Sequence, residues 1–235
     1  MVWQSALDGR TLTFHLAGIN NQNFVMQDEE TGSWWQQITG RAIAGPLKGR
    51  QLERVFHDEL SFEVWTREAP AGRVLRPAAD SAWIRFSADW EAETARMPVA
   101  TRVKLDSTLP PRTVVIGVAQ HGAAKAYPLG TLARQNPIID QVGGEPVVLL
   151  LGDDGQSARG FRPQLDGEFI ELFLKPGSKP VRLVDAKSGS EWDFQGVAVS
   201  GPLQGRRLER VLIQKDYWFD WKTYHPETEL YKLGR

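Results

Sequence analysis

An eleven-residue phrase occurs twice in this chain. "GPLKGRQLERV" runs from Gly45 to Val55 and "GPLQGRRLERV" from Gly201 to Val211, with nine of eleven positions identical. The match extends outward, so that a first copy of about Leu7–Leu75 corresponds to a second copy of about Leu165–Tyr231. A repeat of this length indicates that a whole supersecondary unit is duplicated, which limits the fold to two related bodies in one chain.

Within each copy, short β-prone runs alternate with turn residues. These runs are "RTLTFHL" and "FVMQD" in the first copy, and "EFIELFL" and "VRLVD" in the second. Such spacing is typical of a β-meander. The second run of each pair ends in an aspartate, Asp28 or Asp185, whose carboxylate is expected to accept backbone N–H groups in a tight turn. The Gly-Pro of the repeated phrase predicts a strand edge or bulge, because proline cannot donate to a ladder.

The predicted fold is mainly β with a few short helices, as two pseudo-symmetric β-meander units packed into one compact body. Residues 1–75 form the first unit, 76–144 a connecting segment and 145–235 the second unit. The connecting segment begins with a surface excursion rich in alanine, proline and charge. It continues as a strand, a turn, a second strand and a short helix at Leu129–Gln135.

The two copies differ at their leading edge. Residues 145–164 supply two further strands ahead of the second copy, whereas only six residues precede Leu7. Either another segment fills that place or a strand edge is left open, and an open edge favours association. A protein partner or self-association through this edge near the N-terminus is therefore one expectation.

Composition excludes several classes of partner. The chain has 28 basic and 29 acidic residues without a basic run, so nucleic acid is not expected to bind. No apolar run approaches the roughly 20 residues of a membrane span. The first residues lack the pattern of a signal peptide, so a cytoplasmic location is the default expectation. There is no cysteine, no nucleotide-binding string and no ligand spacing among the four histidines, so neither a cofactor nor a metal is expected.

Aromatic side chains supply the candidate ligand-binding residues. Trp218 and Trp221 share one face of a predicted helical turn, and His225 follows Trp221 by four residues. With Asp220 or Asp216 nearby, His225 is a candidate acid or base. Trp35 and Trp192, which follow the two Asp turns, are candidates for a groove between the copies. The alternative for all four tryptophans is that they fill the cores.

A second candidate pair lies on a predicted hairpin. In "HGAAKAYPL", Lys125 and Tyr127 form a proton-transfer pair if they are buried together. The alternative is a solvated lysine beside a packed tyrosine. Asp28 and Asp185 are likewise either a symmetric carboxylate pair or two independent turn caps, and the capping role accounts for both.

Three longer stretches carry a resemblance to a known family. "MQDEETGSWWQQITGRAIAGPLKGRQLE", "VIGVAQHGAAKAYPL" and "YWFDWKTYHPETELY" resemble, in that order, motifs of the uncharacterised bacterial and archaeal family of domain of unknown function 3179. The resemblance implies no particular activity, although relatives are often exported. Family members usually carry a Cys-Pro-Leu strand before the first "DGR" segment and a His-Pro pair where this chain has Ala69 and Pro70. The chain is thus interpreted as a truncated or shortened member.

Two functions compete on these observations. One is a β-rich binding or assembly module with an aromatic-lined cleft between the repeats. The alternative is an enzyme that acts on a carbohydrate-like or other polar small substrate, with His225 and a nearby aspartate as acid and base. The duplication and the missing catalytic strings favour the binding module.

Overall fold

The computed structural model describes residues 1–75, 89–101, 104 and 107–233, and it is mainly β. Residues 76–88, the start of the predicted surface excursion, lie outside the described residues. The described helices are short: α1 (Phe62–Glu68), α2 (Trp90–Arg96), α3 (Leu129–Arg134) and α4 (Trp218–Tyr224). None of them is long and apolar enough to cross a membrane. The predicted class, mainly β with a few short helices, is confirmed.

The first unit is a small hairpin followed by a four-stranded antiparallel meander. The hairpin pairs β1 (Ala6–Leu7) with β2 (Arg10–Thr11). The meander has the order β3-β4-β5-β6. Its strands are β3 (Phe14–Asn20), β4 (Asn23–Asp28), β5 (Trp34–Gln36) and β6 (Arg41–Ala44). Because the turns between these strands are short, each strand pairs with the next one in the sequence, as expected of a meander.

The strands between the two meanders begin in the connecting segment and continue past its predicted end at residue 144. These are β7 (Val114–Gln120), β8 (Ala123–Pro128), β9 (Ile138–Val142), β10 (Glu145–Leu151) and β11 (Ala158–Arg162). The sequence predicted all of them except β9, which was assigned to a turn. β9 pairs with β10 across the Gly143-Gly144 turn, so this hairpin spans the predicted boundary at residue 144.

The second unit has the same succession of elements. Its hairpin is β12 (Gln164–Leu165) with β13 (Glu168–Phe169), and its meander has the order β14-β15-β16-β17. The meander strands are β14 (Leu172–Leu174), β15 (Leu183–Asp185), β16 (Glu191–Trp192) and β17 (Ala198–Ser200). The chain ends through β18 (Glu209–Val211), β19 (Ile213–Tyr217), α4 and β20 (Glu229–Leu230).

Two further sheets occupy the centre. One has the order β18-β11-β10-β9 and the other β19-β7-β8-β20. Apolar side chains from both sheets form one core cluster, which includes Ile116, Val118, Val147 and Leu149, all fully buried. Because β18 and β19 are separated by a single residue, the chain passes directly from one central sheet to the other. This junction positions the elements of the candidate site.

Each Asp turn is closed by its own carboxylate. Asp28 accepts hydrogen bonds from the Thr31 backbone N–H at 2.6 Å and from the Trp35 indole N–H at 2.7 Å. Asp185 accepts the equivalent bonds from Ser188 at 2.6 Å and Trp192 at 3.2 Å. Burial would raise the pKa of Asp28, but its hydrogen bonds outweigh burial and hold that pKa below 3.8. The turn-capping interpretation of both aspartates is confirmed.

Steric contact explains why the repeated phrase opens with a glycine. The strand ends at Ala44, and Gly45 has a φ of 88°; a Cβ there would lie 2.6 Å from the Ser33 Cα. The Ser33 hydroxyl also accepts the Leu47 N–H at 3.0 Å, which fastens the phrase to the Asp turn. The corresponding residues in the second unit are Gly201, Ser190 and Leu203. Only glycine fits this contact, because a side chain would meet backbone in a strained conformation.

The N-terminal residues occupy the leading edge of the first unit. The Val55 N–H donates to the Val2 carbonyl at 3.0 Å, and the Gln4 N–H donates to the Glu53 carbonyl at 2.8 Å. Residues 2–4 thus lie along the first phrase as β11 lies along β18. A segment does fill the place next to the phrase, and self-association through an edge stays a prediction.

Candidate active site

Two aspartates meet at the junction between β19 and α4. Asp216 is the penultimate residue of β19, and Asp220 lies in the first turn of α4. β19 pairs along β7, and the Trp218 N–H donates to the Thr113 carbonyl at 2.8 Å, which sets the direction in which the helix leaves the strand. The rigid junction brings side chains four residues apart onto the same side.

The two carboxyl groups line the same small cavity, and the negative charge of Asp220 acts on Asp216. Asp216 also accepts the Tyr217 backbone N–H at 2.7 Å and the Gln214 amide at 2.8 Å. Asp220 accepts the Asn23 side-chain amide at 2.6 Å. Each carboxylate makes it harder to ionise the other, so a state in which one of the two is protonated is favoured.

Burial and mutual repulsion explain which group holds the proton. Burial, and next the negative charge of Asp220, raise the pKa of Asp216 well above 3.8. Burial also raises the pKa of Asp220, but the hydrogen bond from Asn23 opposes it. Two close carboxyls share one proton because the second ionisation would place like charges together. Asp216 is therefore the acid of the pair and Asp220 the carboxylate.

The pair borders a small polar cavity of about 120 Å³. At about 30 Å³ per water, this volume holds about four waters or a small organic molecule. The polar side chains that line it with the pair include Asn23, Gln37, His57, Glu59 and Lys215. Asn23, Gln37, His57 and Glu59 come from the first unit, so the cavity exists only where the two units meet.

Tyr224 ties the same helix to the first unit. The Gln36 amide donates to the Tyr224 hydroxyl at 3.1 Å. Burial, and next the charge of Asp220, raise the pKa of Tyr224, so the phenol stays neutral. Together with the Asn23 bond, this contact holds α4 against the meander of the first unit.

His225 lies at the end of α4 but is not among the described residues that line the cavity. Its ring packs on the Trp221 ring with centroids 4.0 Å apart. Burial, and next the positive charge of Arg54, lower the pKa of His225 below 6.5. The structure therefore brings Asp220 together with Asp216, and it places His225 against an indole.

Lys125 and Tyr127 do come together, through a third residue. The Lys125 amine lies 2.7 Å from a carboxylate oxygen of Asp140, and the Tyr127 hydroxyl donates to that same oxygen at 3.0 Å. Burial, followed by the charge of Asp140, raises the pKa of Tyr127. A tyrosine that donates to a carboxylate and resists ionisation is a poor base, so this arrangement favours a packed tyrosine beside a paired lysine.

The four candidate tryptophans lie in three separate cores, each no more than 2% exposed. Trp35 belongs to the core of the first meander and Trp192 to the core of the second. Trp218 and Trp221 pack under the β7–β8 sheet, where Trp221 occupies the space left by Gly117. The structure does not bring these indoles to a common cleft, and their burial favours core packing.

From the sequence, Asp216 and Asp220 were candidates only as partners of His225, and Asn23 and Gln214 were not identified. A signal was present in the repeat itself. At the spacing of 156 residues between the two phrases, Asp216 and Asp220 align with Leu60 and Val64. Acids in one copy opposite apolar residues in the other indicate that the two positions serve different purposes.

The shared proton predicts a distinctive pH dependence of stability. Between the ordinary pKa of 3.8 and the raised pKa in the fold, folded Asp216 holds a proton that the unfolded chain has released. The free energy of unfolding therefore falls as pH rises through this window and levels off above it. Asp216→Asn carries no such proton but still offers an N–H to Asp220, so we expect the variant to lose this fall. Urea unfolding at a series of pH values from mildly acidic to mildly alkaline measures it.

The exposed substitution Glu29→Gln is the matched control for this measurement. It removes one exposed acidic side chain, and we expect this variant to keep the wild-type dependence of the free energy of unfolding on pH. Parallel curves for wild type and Asp216→Asn would show that the two carboxyls do not share a proton.

Comparisons with known proteins define the family of the chain. Among the described residues, no group of three or more histidine, aspartate and glutamate side chains is arranged to hold a metal ion. Neither the curated proteins nor the solved structures gave a match. A family model described as "Protein of unknown function (DUF3179)" matches residues 1–228 of 235. With nearly the whole length matched, the chain belongs to this family of proteins of unknown function.

Proposed function

We propose that the chain is an enzyme that uses the Asp216–Asp220 pair for general acid–base catalysis on a small polar carbonyl compound. The observation that carries the proposal is that two carboxyl groups, the half-buried Asp216 and the buried Asp220, line one small polar cavity. A protonated acid beside an ionised carboxylate supplies both partners that proton transfer requires. The cavity volume limits the substrate to a few non-hydrogen atoms.

The simplest reaction for such a pair is the addition of water to a carbonyl group. The water oxygen bonds to the carbonyl carbon while Asp220 takes a proton from the water. The π electrons of the carbonyl bond move to its oxygen, and Asp216 gives its proton to that oxygen. The product is a hydrate, and a proton moving from Asp220 to Asp216 restores the pair. Asn23 holds Asp220 in place at 2.6 Å throughout.

We further infer that the two units arose by internal duplication and that the site lies where the copies diverged. Support comes from contacts that recur at equivalent places. Asp8 pairs with Arg50 as Asp166 pairs with Arg206. The ring of Trp3 lies against Gly40 as that of Phe161 lies against Gly196. Helix α1, at the place of α4, carries Val64 into an apolar core where α4 carries Asp220 to the cavity.

Oxygen exchange tests the proposed reaction. Hydration and its reversal exchange a carbonyl oxygen with the solvent, so mass spectrometry in ¹⁸O-labelled water follows catalysis directly. With acetaldehyde and glycolaldehyde as probes, we expect exchange faster than in buffer. Asp220→Asn should reduce the catalysed rate by roughly a hundredfold or more, the range of general acid–base catalysis.

Glu29→Gln serves again as the control and should keep the wild-type exchange rate. Exchange no faster than in buffer for both aldehydes would overturn the proposal. An unchanged rate in Asp220→Asn would overturn it equally, because catalysis would then reside elsewhere.

A further inference from the structure

A second concave site lies beside α1. It is an open groove of about 580 Å³ between this helix of the first unit and strands β11 and β18 of the second. Its lining includes Phe62, Trp65, Asp58, Glu68, Arg159 and Arg210. The two sites share no lining residue, although His57 and Glu59 of the acid-pair cavity flank Asp58 of the groove in the chain.

Aromatic rings form one wall of the groove. Phe62 is 67% exposed, and its ring stacks on Trp65 with centroids 5.6 Å apart and an interplanar angle of 29°. An exposed phenylalanine leaves apolar surface in contact with water and contributes nothing to a core. A stacked pair of rings at a groove offers a flat apolar surface to the face of a ligand ring.

Charged groups held in fixed positions also line the groove, and Glu68 comes from the same helix as the two rings. Arg159 is 2% exposed and donates to both carboxylate oxygens of Glu68, at 2.7 and 2.6 Å. It also donates to Asp58 at 2.9 Å, and Arg210 bonds the other oxygen of Asp58. The Arg210 side chain is 26% exposed, so its accessible part can donate to a ligand in the groove. Each carboxylate oxygen keeps lone pairs that are free to accept from a ligand.

The charges of these two arginines and two acidic residues indicate which class of ligand the groove can bind. The charges of two guanidinium groups and two carboxylates sum to zero. The carboxylates would repel an anionic ligand, and the guanidinium groups would repel a cationic one. A neutral ligand with many hydroxyl groups can donate to Asp58 and Glu68 and accept from Arg210. A ring that also has an apolar face fits the Phe62–Trp65 wall. We infer that the groove binds a neutral saccharide.

Saturation-transfer NMR tests the inference, with glucose, N-acetylglucosamine, maltose and cellobiose as probes. We expect transfer to at least one of them in the wild-type chain. Phe62→Ala should weaken that binding roughly tenfold, in line with the loss of one aromatic contact. Because Phe62 is exposed, this variant is expected to fold, which circular dichroism checks.

Phe173→Ala is the matched control, since Phe173 is 51% exposed on the second meander and does not line the groove. It should keep saccharide binding, and so should Asp220→Asn, which separates this site from the acid pair. Absence of transfer to all four saccharides would overturn the inference. It would fail equally if Phe62→Ala bound as tightly as wild type, or if inorganic phosphate displaced the saccharide and thereby identified an anion site.

Discussion

Replacing Arg159 with methionine is expected to lower the free energy of unfolding by about 3–5 kcal/mol, the cost of removing one partner from a buried ion pair. The Arg159 side chain is 3% exposed and that of Glu68 is 16% exposed. Without the guanidinium group, Glu68 and Asp58 would remain as two close carboxylates with little solvent. Urea unfolding at neutral pH measures the change.

The control for this variant is Arg206→Met. Arg206 pairs with Asp166 at 2.7 Å, but both side chains are well exposed, so this loss should cost less than about 1 kcal/mol. Adding Glu68→Leu to Arg159→Met should recover part of the stability, because an apolar pair leaves fewer uncompensated charges. Equal effects of Arg159→Met and Arg206→Met would show that the Arg159 cluster is solvated rather than buried.

Replacing Trp35 with alanine is expected to cost about 3–5 kcal/mol, the usual penalty for emptying the space of a buried large aromatic side chain. Trp35 is fully buried, and its indole N–H donates to Asp28 at 2.7 Å. The substitution therefore removes core packing and also leaves Asp28 without one of its donors. Thermal or urea unfolding measures the loss.

The adjacent residue is a stringent control for that prediction. Trp34 is 39% exposed on the other face of the same strand, and Trp34→Ala should cost far less than Trp35→Ala. This contrast tests whether the buried tryptophans serve the core. If Trp35→Ala kept its stability and lost ligand binding instead, the core interpretation would be wrong.

Local features of the fold were predictable because their causes lie close together in the sequence. The Asp28 turn depends on Thr31, three residues away, and the Asp185 turn depends on Ser188 at the same spacing. The short helices α1 and α4 end two residues before Pro70 and Pro226, because proline cannot continue a helix. Strand β9 directly follows Pro137 and leads into the Gly143-Gly144 turn, so this stretch was assigned to a turn.

The candidate site was less predictable because it depends on contacts between distant residues. Asn23 and Asp220 are 197 residues apart in the chain, and Gln36 and Tyr224 are 188 apart. No local sequence pattern indicates that residues so far apart in the chain are in contact in the fold. His225 was therefore a candidate from the sequence because of its chemistry alone. In the folded chain, His225 packs on Trp221, and Asp216 lies near Asp220.

The sequence by itself determined the repeated local architecture: the Asp turns, the meanders and the glycine that each phrase needs against a serine. Short-range hydrogen bonds and backbone sterics suffice for these, and they involve residues within a few turns of one another. Only the tertiary structure decided that α1 packs into the core of the second unit and that α4 packs against the first. Burial between the units raises the pKa of Asp216, and therefore only the folded chain has an acid pair that shares a proton.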